Sequence, residues 1–199
     1  MKYIARKMLV SSRFKDLVKT LNLDEYNNTI KYIDKLILEN KEYCDKANYS
    51  YLCNLFSCLS LVFMYIDNGK TKEEAIEIVS SAMYKFLEPQ VKTMQNLARH
   101  RWFVPLLKKY MPHKIKKTCG YGWIIEFPKT SKYSFSMNTN KCIFHTIFTK
   151  YNMPEMTKIF CMVDNLMYDK LPNTKFYYTS RIGEGGNVCD YTFERKLKK

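Results

Sequence analysis

The sequence predicts an α+β fold, in which an N-terminal helical layer packs on a C-terminal antiparallel or mixed sheet of about four strands with two inserted helices. The first half of the chain repeats apolar residues at spacings of three and four, as amphipathic helices do. After Pro112, stretches of alternating aromatic and β-branched residues appear between turn residues, which is typical of strands. A length of 199 residues suits one domain over residues 1–199, with a mainly helical part (1–112) and an α+β part (113–199).

Helices account for the first half of the chain. Residues 2–21 are loosely helical, and the segment to about residue 41 is a clearer amphipathic helix with Asp24 as its predicted N-cap. Residues 51–66 are almost uniformly apolar, which predicts a buried central helix that stops at Asn68-Gly69. Thr71 and Glu74 match a capping box for the next helix. Pro89 is expected to end or kink that helix before a further helical run to about residue 101.

Strands and helices alternate in the second half. Residues 119–127 and 133–137 have strand-like alternation, and residues 142–151 and 154–171 return to helical spacing. Residues 176–193 then predict two strands joined by a tight, glycine-dependent connection. The order of elements is helices, two strands, two helices and two strands, which is an α+β layout.

The formal net charge of +14 makes nucleic acid a partner to be considered. The lysines are, however, spread along the chain among acidic residues, and neither zinc-finger spacing nor an RNA-binding aromatic signature accompanies them. We therefore expect a solvated basic surface and no nucleic-acid partner. Such a surface would steer small anionic substrates towards the protein.

The seven cysteines are an odd number in a sequence without a recognisable secretory leader. Reduced thiols and a cytoplasmic location are the expectation from that pattern. The most apolar segment, residues 51–66, is interrupted by Asn54 and small polar residues, so we expect no membrane partner.

Two cysteines in the second half each precede a titratable residue by three positions, which places both groups on one face of a helix. His145 could take the proton of Cys142 and leave a thiolate nucleophile; the alternative is a buried cysteine and a histidine at the sheet edge. Cys161 precedes Asp164 in an apolar segment. Asp164 could act as a general base if burial raises its pKa, orient other groups if it pairs with Arg181, or lie exposed beside the apolar stripe.

The segment from Arg181 to Asp190 supplies the remaining candidates. Arg181 is the predicted substrate-binding residue because a guanidinium grips a carboxylate through two parallel hydrogen bonds. Gly185 and Gly186 allow the backbone to approach a ligand, or form an ordinary hairpin loop. Asp190 is a further candidate for substrate binding, and Cys189 is a third candidate thiol.

Zinc is the only cofactor that the residue types suggest, since cysteine and histidine are its usual ligands. The four candidate ligands lack Cys-x-x-Cys spacing, so we predict no metal and no cofactor. They are Cys142, His145, Cys161 and Cys189.

This constellation resembles the L-2-amino-thiazoline-4-carboxylic acid hydrolase family over roughly residues 50–194. Glu184 departs from the pattern, because a small or hydroxyl residue is expected there. The matching residues share one order along the chain: Cys142, Cys161 with Asp164, Arg181, Gly185-Gly186, and Cys189-Asp190 followed by an aromatic residue.

The resemblance implies hydrolysis of a 2-aminothiazoline ring that bears a carboxylate, to a carbamoyl-cysteine-type product. Arg181 would hold the carboxylate, and the Cys142 thiolate would attack or polarise the amidine carbon. Asp164 would activate water or hold the protonated ring nitrogen, with His145 assisting. The alternative is a non-enzymatic module that binds or senses a small acid through Arg181 and the surrounding aromatic residues, with structural cysteines.

Overall fold

The computed structural model describes residues 3–196 and has the predicted α+β composition, with eight α-helices and one four-stranded sheet in that range. The chain divides into two compact units. Unit 1 comprises Met1–Phe86 and Thr118–Tyr121, and unit 2 comprises Leu87–Lys117 and Gly122–Lys199. The first predicted helical segment begins at Lys2, which lies outside the described residues.

Unit 1 is built around one buried helix, α4, as the sequence predicts. Nearly every position of α4 from Leu52 to Met64 is buried, and helices α1 and α3 pack against it. The helices of unit 1 are α1 (Ala5–Ser11), α2 (Lys15–Val18), α3 (Leu23–Glu39) and α4 (Tyr49–Asp67), and α5 (Lys72–Ala98) begins in unit 1 and ends in unit 2.

By length and composition, α4 is the one helix among residues 3–196 that could cross a membrane. Most of it is nevertheless buried inside the protein, which is the pattern of a core helix.

The N-terminal caps of two helices can be compared directly with the sequence predictions. The Asp24 cap is wrong: α3 is capped by Asn22, whose side chain accepts hydrogen bonds from the backbone of Asp24 and Glu25. Asp24 instead lies in the first turn, where its charge favours the helix dipole. The Thr71–Glu74 capping box is confirmed, with Glu74 Oε2 accepting from Thr71 N at 2.8 Å.

Two prolines that were expected to mark boundaries lie inside helices. Pro89 is within α5, and Pro112 is within α6 (Phe103–Thr118), a helix that the sequence analysis missed. An internal proline removes one helical hydrogen bond. Packing offsets that loss in α6, since Phe103, Val104 and Ile115 are buried.

Cys119 and its neighbours do not begin a strand, contrary to the prediction. Residues Thr118–Tyr121 belong to unit 1, where Asn48 Oδ1 accepts from Gly120 N at 2.9 Å and Asp45 Oδ2 accepts from Tyr121 N at 2.8 Å. We call Asp45, Asn48, Gly120 and Tyr121 the Asn48 cluster. These hydrogen bonds hold the segment in an irregular conformation in place of sheet pairing.

The sheet of unit 2 is antiparallel throughout, with strand order β1-β2-β4-β3. Opposite Cys189 and Tyr191 on β4 lie Thr139 and Met137 on β2. Alternate β4 residues are buried, so Cys189 and Tyr191 point to the same covered face. The strands are β1 (Ile124–Glu126), β2 (Ser134–Lys141), β3 (Thr174–Tyr177) and β4 (Cys189–Arg195).

The two inserted helices of unit 2 are α7 (Ile143–Lys150) and α8 (Thr157–Tyr168). Phe144 of α7 stacks on Phe160 of α8 at 4.2 Å between ring centroids. The C-terminal end of α8 reaches β4, where the Tyr168 ring meets Phe193 edge-on at 5.0 Å. Helix α8 is thereby held near the sheet residues that carry the predicted site.

Candidate functional site

The three predicted site segments meet in unit 2, at the start of α7, along α8 and at the turn between β3 and β4. Gly183 lies so close to α8 that a Cβ there would be 2.8 Å from Cys161 Sγ. Ile182 N donates a hydrogen bond to Cys189 Sγ at 3.3 Å. The turn is therefore seated directly on the helix and on the strand that carry two of the candidate thiols.

Arg181 occupies the centre of this arrangement and is only 2% exposed. Its guanidinium lies 3.6 Å from the Tyr178 ring centroid and 5.3 Å from that of Tyr191. Nη2 donates to Asn165 Oδ1 at 2.5 Å, and Nη1 lies 3.4 Å from Glu184 Oε1. We call Asn165, Tyr178, Arg181, Glu184 and Tyr191 the Arg181 cluster.

One donor of Arg181 has no partner: Nε is buried and makes no hydrogen bond. Leaving such a donor unsatisfied costs roughly 1–3 kcal/mol, so a native structure rarely keeps one without a reason. A ligand oxygen at this position would supply the missing acceptor.

Asp164 lies on α8 with a half-buried side chain, and its charge acts on the other site residues. Burial tends to lower the pKa of Arg181, but Tyr191, Tyr178 and Asp164 outweigh it and raise that pKa. The Asp164 charge also contributes to raised pKa values at Cys161. The Asp164 carboxylate therefore acts electrostatically on both the Arg181 guanidinium and the Cys161 thiol.

The three candidate thiols are all shifted towards their neutral form. Burial raises the pKa of Cys142 to about 12, although the backbone N–H groups of His145 and Phe144 oppose the shift. Burial, then the charges of Cys189 and Asp164, raise the pKa of Cys161 to about 12, and burial raises that of Cys189. A thiolate ready for attack in the ligand-free protein, as the sequence suggested, is not what these environments favour.

His145 does not form the predicted pair with the Cys142 thiol among the described residues. Its Nδ1 lies 3.3 Å from Thr157 Oγ1 at the start of α8. The reason is local: Cys142 is the N-cap of α7 with extended backbone angles, so it does not share a helical face with His145. The histidine instead links α7 to α8.

Asp190 has a structural role in the turn rather than a free carboxylate. Its Oδ1 accepts from the backbone N–H of Thr179 at 2.8 Å and of Ser180 at 2.7 Å, and Oδ2 accepts from the Thr179 hydroxyl. Partial burial acts to raise its pKa, but these hydrogen bonds outweigh burial and lower it. The contacts of Asp190 do not support the predicted part in substrate binding.

Gly185 and Gly186 shape the turn. Gly185 has φ of +92°, in the left-handed region that favours glycine. Gly186 N donates to Arg181 O at 2.8 Å, and a Cβ at Gly186 would lie 2.1 Å from Ser180 Oγ. Both glycines therefore fix the backbone that carries Arg181.

The cysteine and histidine donors do not fit a metal ion. Among residues 3–196, no group of three or more His, Cys, Asp or Glu side chains is placed to hold one. His145 points to Thr157, and the Cys189 sulfur accepts from Ile182.

Sequence reasoning missed Asn165, Tyr178 and Tyr191. Tyr191 had a usable signal, because it lies two residues after Cys189 on the same strand face. Asn165 had a weaker one, as a polar residue within an otherwise apolar helix. No spacing in the sequence indicates that the Tyr178 ring lies under the Arg181 guanidinium.

Residues 54–193 match the sequence profile of the family described as L-2-amino-thiazoline-4-carboxylic acid hydrolase. No curated protein sequence matches the chain.

Among solved structures, the chain is similar to H-NOX proteins, at low TM-scores. An Fe(II) unliganded H-NOX mutant from K. algicida has a TM-score of 0.40 and 12% identity, covering 100% of this chain and 98% of that chain. An H-NOX domain from Shewanella oneidensis in the Fe(II)CO ligation state has a TM-score of 0.37 and 9% identity, with 100% of both chains covered. At these TM-scores the likeness carries no conclusion about this protein.

Proposed function

Because the chain belongs to the L-2-amino-thiazoline-4-carboxylic acid hydrolase family, we propose that it hydrolyses a small cyclic amidine that bears a carboxylate, in the site around Arg181. Water adds to the amidine carbon, and the bond from that carbon to a ring heteroatom breaks as the heteroatom takes up a proton. The product is of the carbamoyl-cysteine type. The buried, unpartnered Nε of Arg181 is the observation that carries the proposal.

The carboxylate of the substrate is assigned to Arg181. Its guanidinium is held in place by Tyr178 and Asn165, so little side-chain freedom is lost when an anion binds. A carboxylate oxygen at Nε would satisfy the orphaned donor with a charge-assisted hydrogen bond.

The charge balance of the site suits a zwitterion better than a simple acid. Glu184 lies 3.4 Å from Arg181 Nη1, and Asp164 raises the Arg181 pKa, so two carboxylates act on one guanidinium. A protonated amidine ring would add a positive charge beside those carboxylates. The substrate class that fits is therefore a carboxylate with a cationic ring nitrogen.

Water activated by Asp164 is the proposed nucleophile. The raised pKa values of Cys142 and Cys161 leave neutral thiols at physiological pH, which are poor nucleophiles. A carboxylate can accept the proton of the attacking water and return it to the leaving heteroatom. Cys142 is then left to contact the ring and polarise it.

The test is an assay of ring opening with 2-aminothiazoline-4-carboxylate, with the product followed by mass spectrometry. Asp164→Asn is expected to lower kcat by roughly a hundredfold or more, as the loss of a general base does. Cys142→Ala is expected to retain most of its turnover. Cys44→Ala, a half-buried free cysteine of unit 1, serves as the matched control.

Two outcomes would contradict this assignment. Normal turnover in Asp164→Asn would show that Asp164 is not the general base. Abolished turnover in Cys142→Ala, with a covalent adduct on Cys142 in the wild-type protein, would move the reaction to a thiolate route.

A binding module for a small acid is the second candidate, because the unpartnered Nε of Arg181 could hold an acid whether or not the acid is then hydrolysed. Calorimetry would then show saturable binding of 2-aminothiazoline-4-carboxylate that is lost in Arg181→Met. Recovery of the compound unchanged after long incubation would decide for binding over hydrolysis.

A further inference from the structure

A strongly basic segment of unit 2 has no part in the proposed function. Residues 89–117 contain no aspartate or glutamate. Most of the basic side chains in this segment are exposed. Its lysines and arginines are Lys92, Arg99, Arg101, Lys108, Lys109, Lys114, Lys116 and Lys117.

Helix α6 displays large apolar side chains within this basic segment. Trp102, Leu106 and Tyr110 are 46%, 39% and 54% exposed. They follow one another at four-residue spacing, so they lie along one side of the helix, beginning at the residue before its first turn. Single exposed apolar residues are ordinary, but an aligned row of them marks an interaction surface.

Basic side chains share this side of α6. Lys109, His113 and Lys117 are exposed and also repeat at four-residue spacing, which places them beside the apolar row. We call Trp102, Leu106, Lys109, Tyr110, His113 and Lys117 the α6 basic face. The opposite side of the helix is buried through Val104 and Ile115.

We propose that the α6 basic face docks on an anionic lipid surface. Tryptophan and tyrosine favour the boundary between headgroups and hydrocarbon, and an exposed leucine gains by entering it. Lysines near the surface are attracted to anionic headgroups, and no carboxylate on residues 89–117 opposes them. This departs from the expectation, drawn from the sequence, of no membrane partner.

Nucleic acid is the other polyanion that a basic surface could meet. Its recognition uses phosphate contacts and base stacking on aromatic rings. One face of the Trp102 ring stacks on His100, at 5.0 Å between ring centroids and 9° between planes, and the exposed Leu106 has no part in such recognition. The apolar row therefore favours lipid.

The test uses the full chain and vesicles of phosphatidylcholine with or without phosphatidylserine. In a Trp123→Phe variant, Trp102 is the one remaining tryptophan of the two in the sequence. Its emission is expected to shift to the blue with phosphatidylserine vesicles and to stay unchanged with phosphatidylcholine alone. Flotation of the unsubstituted chain with the same vesicles gives an independent measure of binding.

Substitutions separate the contribution of the lysine charges to vesicle binding from that of the exposed apolar side chains. Lys109→Glu with Lys117→Glu should weaken partitioning by roughly fivefold for each unit of charge lost, as the attraction of a lysine near an anionic surface implies. Leu106→Ser with Tyr110→Ser should also weaken it. The matched control is Lys31→Glu with Leu38→Ser on α3, where both residues are exposed.

Equal binding by the α6 variants and the α3 control would overturn the proposal, as would failure of the unsubstituted chain to float with anionic vesicles. Retention on RNA or duplex DNA that is lost in the Lys109→Glu, Lys117→Glu variant, without vesicle binding, would reassign the face to nucleic acid. None of these results depends on whether the Arg181 site turns over a substrate.

Discussion

Two buried polar side chains each organise a loop, Asn48 in unit 1 and Arg181 in unit 2, but only one has all its partners. Asn48 Nδ2 donates to Tyr43 O at 3.0 Å and Tyr121 O at 2.8 Å, and its Oδ1 accepts from Gly120 N at 2.9 Å. Arg181 donates to Asn165, lies close to Glu184, and leaves Nε without an acceptor.

The difference separates a structural role from a binding role. A cluster whose donors and acceptors are matched internally stabilises the fold and has nothing to offer a ligand. In the other kind of cluster, neighbouring side chains fix the orientation of a charged donor but leave it without an acceptor. Such a donor is suited to binding a ligand.

Asn48→Ala should have the largest effect on stability. It leaves the N–H of Gly120 and the carbonyl oxygens of Tyr43 and Tyr121 without their partner, so we expect a loss of about 3 kcal/mol in the free energy of unfolding. Urea denaturation measures it, with the exposed Asn96→Ala as the control. A change of only a few tenths of a kcal/mol would show that the cluster is not what holds residues 118–121.

Arg181→Met should affect ligand binding more than stability. At a ligand concentration of a hundred times Kd, 2-aminothiazoline-4-carboxylate should stabilise the wild-type protein by about 2.7 kcal/mol and the variant not at all. Arg195→Met, which removes the stacking of Arg195 on Tyr133, should keep the full increment. Thermal unfolding with and without ligand measures both, and an undiminished increment in Arg181→Met would refute the site.

Asn165→Ala should weaken binding by roughly tenfold, the equivalent of about 1.4 kcal/mol, because Asn165 is a positioning residue for Arg181. We expect KM to rise and kcat to stay unchanged, because Asn165 orients the group that holds the carboxylate and does not act on the reacting carbon. Asn165→Gln should recover part of it. A fall in kcat with KM unchanged would mean that Asn165 acts elsewhere.

Thiol ionisation should have no effect on stability near neutral pH. Burial raises the pKa of Cys142 from 9.0 to about 12, so the neutral thiol is the form that the fold favours. The resulting stabilisation is complete below pH 9.0 and is lost as the pH rises towards 12. Unfolding free energies of the wild-type protein and Cys142→Ala, compared across this range, would diverge only on the alkaline side. Rapid alkylation of native Cys142 at neutral pH would contradict the shift.

Periodicity was enough to predict most helices and an antiparallel or mixed sheet of about four strands, because burial of one face leaves a regular pattern in the sequence. It failed at Pro112, where packing elsewhere in α6 outweighs the local cost of proline. The convergence of Cys161, Asp164 and Arg181 followed from a family pattern. The partner of Arg181 could not be predicted, since an asparagine at position 165 is equally compatible with an exposed helix face.

The ionisation of the cysteines shows a second limit of structure prediction from sequence patterns. A spacing of three suggested that His145 would activate Cys142, yet one residue decides the outcome: Cys142 is the N-cap and not the first helical residue. A shift of a single position at a helix end is below the accuracy of sequence-based boundaries. Side-chain pairs near helix ends are therefore the weakest part of such an interpretation.

The tight seating of Gly183 and Gly186 has a consequence for mutational scans of this protein. Any side chain at Gly183 would displace Cys161 or Thr157, and any at Gly186 would displace Ser180 or the backbone of Arg181. A scan scored by activity alone would rank both glycines beside the binding residues, because a displaced turn also displaces Arg181. Scoring cellular abundance in parallel would separate residues that the turn needs to fold from residues that bind or turn over the substrate.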